Sequence, residues 1–282
     1  ELETMERRSG TWLLLLPLAA VLGLFLLWPL ALVLWESLFI EGRFSLDNYL
    51  SLFVRKLYRE SLTTSLVLSA STAVLGTAIG LPLSYFVHKT GGRAKNILLA
   101  LTAVPLTLSG LVVGFAFIVL LGTSGFITII LRELIGINPL EFSAFLFTWR
   151  GLVIAYLYFL IPRMILTMTA AWSNANWSLV EAAVSLGAGP VTVLRKVLFP
   201  MLAPAILAGS SLLFAVSMGA FGTAFALTGT AVKILPLVIY THVSELSADI
   251  AKADALAIVL TLVTTCVILA YEKFFTSPSS AR

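Results

Sequence analysis

The residues of this chain whose types and spacing could do chemistry form a short polar island between two long apolar runs. The island holds Glu181-Ala182-Ala183, then Gly187 after three further residues, and Pro200 closes it. A charged segment of this kind is costly in the hydrocarbon of a membrane. It must therefore lie in water or against a protein surface, and its small alanines would let a partner approach the backbone.

Catalytic and metal-binding chemistry find little support elsewhere in the chain. Cys266 is the single cysteine and lies in the last apolar run, so we expect it to pack as a small apolar group. His88 and His242 fall in different predicted loops on opposite sides of the membrane. We therefore predict no catalytic residue, no metal site and no cofactor bound by this chain. The net charge of +4 is spread over loops, which does not favour nucleic-acid binding.

Composition assigns the chain to the membrane. Hydrophobic residues make up 59% of the sequence, charged residues only 11%, and the mean hydropathy is +1.02. A soluble domain carries about 25% charged residues. The apolar runs are continuous rather than alternating, which favours helices over the strands of a barrel. We predict an all-α integral membrane protein.

Six apolar runs reach the length of about 20 residues that a membrane-spanning helix needs. They lie at 11–35, 61–87, 97–121, 151–172, 201–227 and 253–271. We predict one six-helix domain over residues 1–282. The shorter apolar segment 126–137 is interpreted as an interfacial or re-entrant helix, with a seventh span as the alternative.

Orientation follows from the basic residues of the shortest loop. The two sides carry nearly equal numbers of Lys and Arg, but the loop 88–96 holds three basic residues and no acid. Short basic loops stay in the cytoplasm. We expect both termini on the cytoplasmic side.

Local rules predict a helical hairpin at 176–200. Ser178 and Glu181 have the spacing of a capping box, which would begin a short helix. Gly187 suits a left-handed stop after that helix. Pro190 can open a second short helix, and Pro200 would then reset the chain into the fifth span. Alone, such a hairpin could also rest on the lipid headgroups.

The island resembles the signature of the transmembrane subunits of binding-protein-dependent, type I ABC importers. That signature reads Glu-Ala-Ala, three residues, Gly, nine residues, Ile, one residue, Leu-Pro, between the fourth and fifth of six helices. Here Val197 replaces the isoleucine and Phe199 replaces the leucine, while Pro200 is intact. The resemblance implies a cytoplasmic coupling helix that docks on an ATPase. The residues it assigns to this contact are Ser178, Glu181, Ala182, Ala183, Gly187 and Ala188.

The resemblance also implies partners. They are two ATPase subunits that bind ATP and Mg, a second six-helix permease (identical or paralogous), an external solute-binding protein, and the lipid of a bacterial plasma (inner) membrane. The chain has no Gly-x-x-x-x-Gly-Lys-Ser/Thr phosphate loop, so we expect it to be a transport subunit without its own ATPase site.

Candidate pathway residues lie in the fourth and fifth spans. Gly209–Ser211 is interpreted as a site of close helix packing. For the stretch 217–223, lining of the pathway and helix packing are equally favoured interpretations. Arg163 is the only charge well inside a predicted span. It either contacts the pathway, pairs with another group in a structural role, or snorkels toward the headgroups beyond Trp172. The pathway candidates are Ser217, Met218, Phe221, Thr223, Tyr156 and Arg163.

Substrate identity is left open between two kinds of solute. The sequence of the fifth span is similar to that of permeases of the polyamine branch, which also includes ferric-iron and phosphonate importers. A polyamine-like solute is therefore expected. No Asp or Glu lies deep in a predicted span, and Arg163 would suit an anion better. Ferric iron, phosphonate or another small anion are the alternatives. An ATP-independent secondary transporter or channel is the alternative class.

Overall fold

A computed structural model describes residues 16–40, 42–244 and 249–276 of the chain, and nearly all of them are helical. A short antiparallel ribbon, β1 (Phe39–Ile40) and β2 (Arg43–Phe44), follows the first helix. The helices are α1 (Leu16–Ser37), α2 (Asp47–Val54), α3 (Lys56–Lys89), α4 (Gly92–Thr107), α5 (Gly110–Leu121), α6 (Phe126–Ile135), α7 (Pro139–Ala144), α8 (Trp149–Ser173), α9 (Trp177–Ser185), α10 (Pro190–Met218), α11 (Gly222–Thr228), α12 (Leu235–Ser244) and α13 (Ile250–Thr276).

Within the described residues, six helical segments are long and apolar enough to cross a membrane. This confirms the all-α, six-span architecture. The segments are Leu16–Ser37, Lys56–Lys89, Gly110–Ile135, Trp149–Ser173, Pro190–Met218 and Ile250–Tyr271. Part of the predicted first span, 11–15, lies outside the described residues.

The chain groups into two compact units. One unit combines the residues up to Arg59 with Ile239–Val259, and the other combines Glu60–Val238 with the residues from Leu260 onward. The second unit contains the polar island and the candidate pathway residues, so the site is described within it.

The predicted third span, 97–121, is not one helix. Helix α4 ends at Thr107, and α5 begins at Gly110 after Leu108 and Ser109 adopt extended backbone. Pro105 removes a backbone donor near the end of α4, and the Ser109 side chain caps α5 by accepting the Val112 amide. The apolar segment that reaches spanning length is Gly110–Ile135, in which α6 follows α5 after a turn at 122–125.

The predicted fifth span, 201–227, also differs. The helix that begins at Pro190 runs on without a second stop, so the expected separate short helix is part of α10. Its turn at Leu194–Leu198 is widened, with the Phe199 amide bonded to the Leu194 carbonyl five residues back. A widened turn relieves the clash that Pro200 would otherwise cause. At the other end α10 stops at Met218, and α11 resumes at Gly222.

Helix α8 is the centre of the second unit and the most buried of the spanning helices. It packs against α4, α10 and α11. Hydroxyl side chains on one face of α3 bind across the core: Thr72 donates to the Ser217 hydroxyl at 2.9 Å, and Ser84 accepts the Trp172 indole N–H at 3.0 Å. These bonds satisfy polar groups that would otherwise be buried without partners.

Small residues let these helices approach closely. A Cβ placed on Gly209 would lie 2.7 Å from the Met164 sulfur, and one on Gly80 would lie 2.6 Å from the Met164 Cβ. Ser210 and Ser211 both bond back to the Leu207 carbonyl of their own helix. This confirms the packing interpretation of Gly209–Ser211.

Candidate functional site

The polar island forms a helix and a tight corner, and Gly187 makes the corner. Its φ is +81°, in the left-handed region that favours glycine. The Gly187 amide bonds to the Val184 carbonyl at 2.9 Å, and the Ala188 amide bonds to the Ala183 carbonyl at 3.0 Å. This pair of bonds is the Schellman motif. The predicted left-handed stop at Gly187 is confirmed.

The predicted capping box at the start of α9 is wrong. The helix begins at Trp177, one residue before Ser178, and Asn176 occupies the cap position. The Ser178 hydroxyl instead donates to the Asn176 side-chain oxygen at 2.6 Å. The helix begins early because the Trp177 indole N–H is bonded to the Trp172 carbonyl at 3.2 Å, which fixes this residue against the end of α8.

The free face of α9 exposes apolar side chains beside a single carboxylate. Val184 is 58% exposed but lines a cavity against α3 and Trp172. Leu186, directly after α9, is 88% exposed, and Leu179 is 51% exposed. Glu181 is exposed beside them, as is Ala182, while Ala183 and Ala188 are half-buried. An exposed apolar surface with a charged rim is typical of a protein interaction site.

An aromatic cluster anchors this hairpin to α3 and α8. His88, predicted for a loop, lies in the last turn of α3 and stacks on Trp177 with ring centroids 5.6 Å apart. Trp172 stacks on Trp177 at 6.0 Å. The Lys89 ammonium lies 5.3 Å from the centre of the Trp177 ring, as in a cation–π contact. The sequence offers no spacing signal for this cluster, because its members come from separate helices.

Two helix interruptions contact each other in the second unit: residues 108–109 between α4 and α5, and residues 219–221 between α10 and α11. The Thr223 hydroxyl at the start of α11 donates to the Gly110 carbonyl at the start of α5, at 2.8 Å. A Cβ on Gly222 would lie 2.8 Å from the Leu111 amide nitrogen, so only glycine permits this approach. The Tyr156 hydroxyl of α8 donates to the Ala220 carbonyl within the second interruption.

A cavity of about 270 Å³ lies at this junction. The Arg163 side chain of α8 lines it together with Phe221 and Thr223. The guanidinium bonds to the Phe159 carbonyl at 3.3 Å, one turn back toward the start of α8. This bond and the cavity lining place the guanidinium beside the two interruptions.

The other three pathway candidates are buried in packing rather than in the cavity lining. Ser217 is 3% exposed and accepts the Thr72 hydroxyl, Met218 is 1% exposed, and Tyr156 is fully buried. Helical periodicity in the sequence could not distinguish these buried positions from the cavity-lining ones. The break at 219–221 ends one helix and begins another, so residues before and after it do not share one helical face.

The carboxylate of Asp249, which lies just before the last spanning segment, has a defined partner. Asp249 precedes α13 and accepts the Lys252 backbone amide at 3.2 Å and its side-chain ammonium. Burial alone would raise the pKa of the Asp249 carboxyl, but the hydrogen bonds and charge of Lys252, with a smaller effect from His242, hold that pKa below its usual value. No group of His, Cys, Asp and Glu among the described residues could hold a metal ion.

Comparison with known families finds one that matches most of the chain. The family described as binding-protein-dependent transport system inner membrane component matches residues 76–275. A probable molybdenum ABC transporter permease protein of Haloferax volcanii is 32% identical over 216 residues, covering 77% of this chain and 75% of its own. A protein of Salmonella typhimurium, assigned provisionally as a 2-aminoethylphosphonate transport system permease, is 27% identical over 269 residues. The match covers 92% of this chain and 90% of that protein.

Solved structures with the same fold are transporters. A bacterial ABC transporter involved in the import of the acidic polysaccharide alginate aligns with a TM-score of 0.76 at 16% identity, covering 99% of both chains. The alginate transporter in complex with its pentasaccharide-bound periplasmic protein aligns with a TM-score of 0.72 at 16% identity, covering 96% of this chain and 95% of that one.

Proposed function

Since this chain belongs to the family of binding-protein-dependent transport system inner membrane components and is a type I ABC importer permease, we propose that it forms half of a translocation pathway for a small oxyanion. It is a multi-pass membrane protein. The observation that carries the coupling part of the proposal is the rigid, exposed hairpin at α9, which offers an ATPase a surface and leads directly into α10.

The coupling contact would use the exposed face of α9. Leu186 and Leu179, both exposed, would enter an apolar groove of the ATPase, and Glu181 would pair with a basic group at the rim. Truncating a well-buried contact of this kind costs about 1–3 kcal/mol at protein interfaces. The cluster around Trp177 would carry the resulting motion into α3 and α8, because the ring contacts fix α9 to both helices.

The complete transporter would contain further subunits besides this chain. Two ATPase subunits would bind ATP and Mg and dock on the coupling hairpins, and a second permease, identical or paralogous, would complete the passage. A solute-binding protein would deliver the substrate from outside; the periplasmic protein in one related complex supports this part. Both termini would lie in the cytoplasm, and lipid of a bacterial inner membrane would surround the spans.

A small oxyanion is the substrate class with the best support. Two relatives are named for molybdenum and 2-aminoethylphosphonate transport. Molybdate and phosphonates both have a tetrahedral central atom that carries negatively charged oxygens. The polyamine-like solute expected from the fifth span has no support among these relatives, and we do not retain it.

Co-purification with an ATPase tests the coupling proposal. The tagged chain is expressed with its candidate ATPase subunits, and Leu186→Glu is compared with Leu140→Glu. Leu140 is 68% exposed in α7, at the other end of the 25-residue helix α8. We expect Leu186→Glu to reduce ATPase recovery about tenfold or more, because it places a charge in an apolar contact, and Leu140→Glu to leave it unchanged.

Uptake into proteoliposomes tests the transport proposal separately. Molybdate and 2-aminoethylphosphonate are the probes, and uptake should require ATP, Mg and the solute-binding protein. Uptake by the permease alone, without an ATPase or ATP, would contradict the proposal and favour a secondary transporter or channel.

A further inference from the structure

The cavity between the two helix interruptions contains a charge in the middle of a spanning helix. Arg163 lies 14 residues after Trp149 and 10 residues before Ser173, the ends of α8. At 1.5 Å per residue, it lies about 21 Å from one end and about 15 Å from the other. An ionisable group at this depth has to be compensated by protein, water or a ligand.

No carboxylate compensates this charge in the described part of the chain. The contacts of Arg163 there are the Phe159 carbonyl and the Phe159 ring, whose centroid lies 5.8 Å from the guanidinium carbon. A guanidinium has five N–H donors. One of them binds the carbonyl, so the others can bind a further acceptor.

The cavity lining favours an anion over a cation. The residues that line it include no Asp or Glu. Two backbone carbonyls at the interruptions already accept hydroxyl donors: Gly110 accepts from Thr223, and Ala220 accepts from Tyr156. These contacts use acceptor capacity that a cation would need, and they leave the positive charge of Arg163 dominant.

The size of the cavity limits what it can hold. Its volume is about 270 Å³, whereas pockets for drug-sized molecules have about 300–1,000 Å³. A water molecule occupies about 30 Å³ in the liquid. The cavity therefore has room for a tetrahedral oxyanion with part of its hydration shell.

We propose that Arg163, in the cavity between the α4–α5 and α10–α11 interruptions, is a transient binding site for a small tetrahedral oxyanion on its way through the membrane. The proposal rests on the proposed function and adds to it the residue that selects the charge of the substrate. Phe221 lines the cavity, and the Thr223 hydroxyl bonds one interruption to the other.

The test uses the whole transporter, assembled with its ATPase and solute-binding protein, and compares three variants. Arg163→Gln removes the charge, Arg163→Lys keeps it without the planar fork of donors, and Arg150→Gln removes an exposed arginine from the first turn of the same helix. Two quantities are measured in proteoliposomes: ATP hydrolysis stimulated by the solute-binding protein, and uptake of molybdate and 2-aminoethylphosphonate. Retention of molybdate by the complex without the solute-binding protein is measured by equilibrium dialysis and metal analysis.

We expect Arg163→Gln to lower uptake and molybdate retention about tenfold or more, because a charge-assisted hydrogen bond is lost. Arg163→Lys should recover part of both, and Arg150→Gln should match the wild type. ATPase association should be the same in all variants.

Uptake by Arg163→Gln equal to that of the wild type would overturn the Arg163 site while leaving the proposed function intact. A wild-type complex that retains none of the tested oxyanions would also overturn the Arg163 site. Uptake of spermidine instead of the oxyanions would contradict both this site and the oxyanion substrate of the proposed function. Failure of the wild-type chain to associate with an ATPase would instead contradict the proposed function, so the two failures are distinguishable.

Discussion

The corner at Gly187 allows the coupling account to be tested through backbone strain alone. At φ +81° a residue with a Cβ is strained, yet a Cβ built there would meet nothing within 4 Å. Replacing Gly187 with valine therefore adds strain without a steric clash. Non-glycine residues in such conformations cost about 1–3 kcal/mol, and a β-branched residue is among the worst.

The size of the expected loss in ATPase binding follows from the energy of this backbone strain. If the strain opens the corner, the bonds from the Gly187 amide to Val184 and from the Ala188 amide to Ala183 are lost. An energy of about 1–3 kcal/mol corresponds to about a 5–150-fold decrease in the population with the correct corner. Because only that population docks in this account, the apparent affinity for the ATPase should fall by the same factor.

Two matched variants separate strain from bulk. Gly189→Val adds the same side chain two residues later, where φ is −69° and ψ is 163°, and a Cβ there would also meet nothing within 4 Å. Extended backbone of this kind is what a residue before proline prefers. Gly187→Asn keeps a residue type that tolerates the left-handed region.

The assay is titration of the purified ATPase onto the permease in detergent, together with ATP-driven uptake in proteoliposomes. We expect Gly187→Val to weaken binding at least about fivefold and to reduce uptake in proportion. Gly187→Asn and Gly189→Val should remain near the wild type. Unchanged binding by a folded Gly187→Val variant, or an equal loss in Gly189→Val, would refute the reasoning.

Three further changes have defined outcomes. Trp177→Ala removes the ring contacts that anchor α9, each worth about 0.5–1.5 kcal/mol, so ATP-driven uptake should fall about tenfold while ATPase binding persists; Trp177→Phe should retain most uptake. Gly114→Ala places a Cβ 2.5 Å from the Ala226 Cβ and should cost about 1–3 kcal/mol of stability in thermal melts, whereas Gly23→Ala, which meets nothing within 4 Å, should cost less. Asp249→Ala removes the cap of α13 and should lower stability by about 1 kcal/mol. Since the folded pKa of this carboxyl is depressed, that difference should be constant above its unfolded pKa and shrink as the pH falls below about 4.

The sequence predicts the parts of this molecule that depend on local rules. The left-handed corner needs only Gly187 and its neighbours, and the spanning helices need only long apolar runs. The start of α9 is different: a capping box is a local pattern, but the bond from Trp177 to the Trp172 carbonyl begins the helix earlier. Here a tertiary contact outweighs the local preference.

The interruptions and the cavity could not be predicted because their partners are distant in sequence. Thr223 and Gly110 are 113 residues apart, and Tyr156 and Ala220 are 64 residues apart. No charged residue falls within 97–121 or 201–227, so both runs look continuous in the sequence. Pro105, the Ser109-Gly110 pair and the sequence Gly219-Ala220-Phe221-Gly222 are local signals of the breaks.

Cross-linking from the coupling hairpin tests the central claim most directly. In a background where the exposed Cys266 is replaced by serine, a cysteine at Leu186 is compared with one at Leu140, each in the assembled transporter treated with a short thiol-to-amine reagent. The account predicts a covalent adduct with the ATPase from position 186, whose yield changes when ATP is added, and none from position 140. An adduct formed only from position 140, or from neither position while the ATPase is bound, would contradict it.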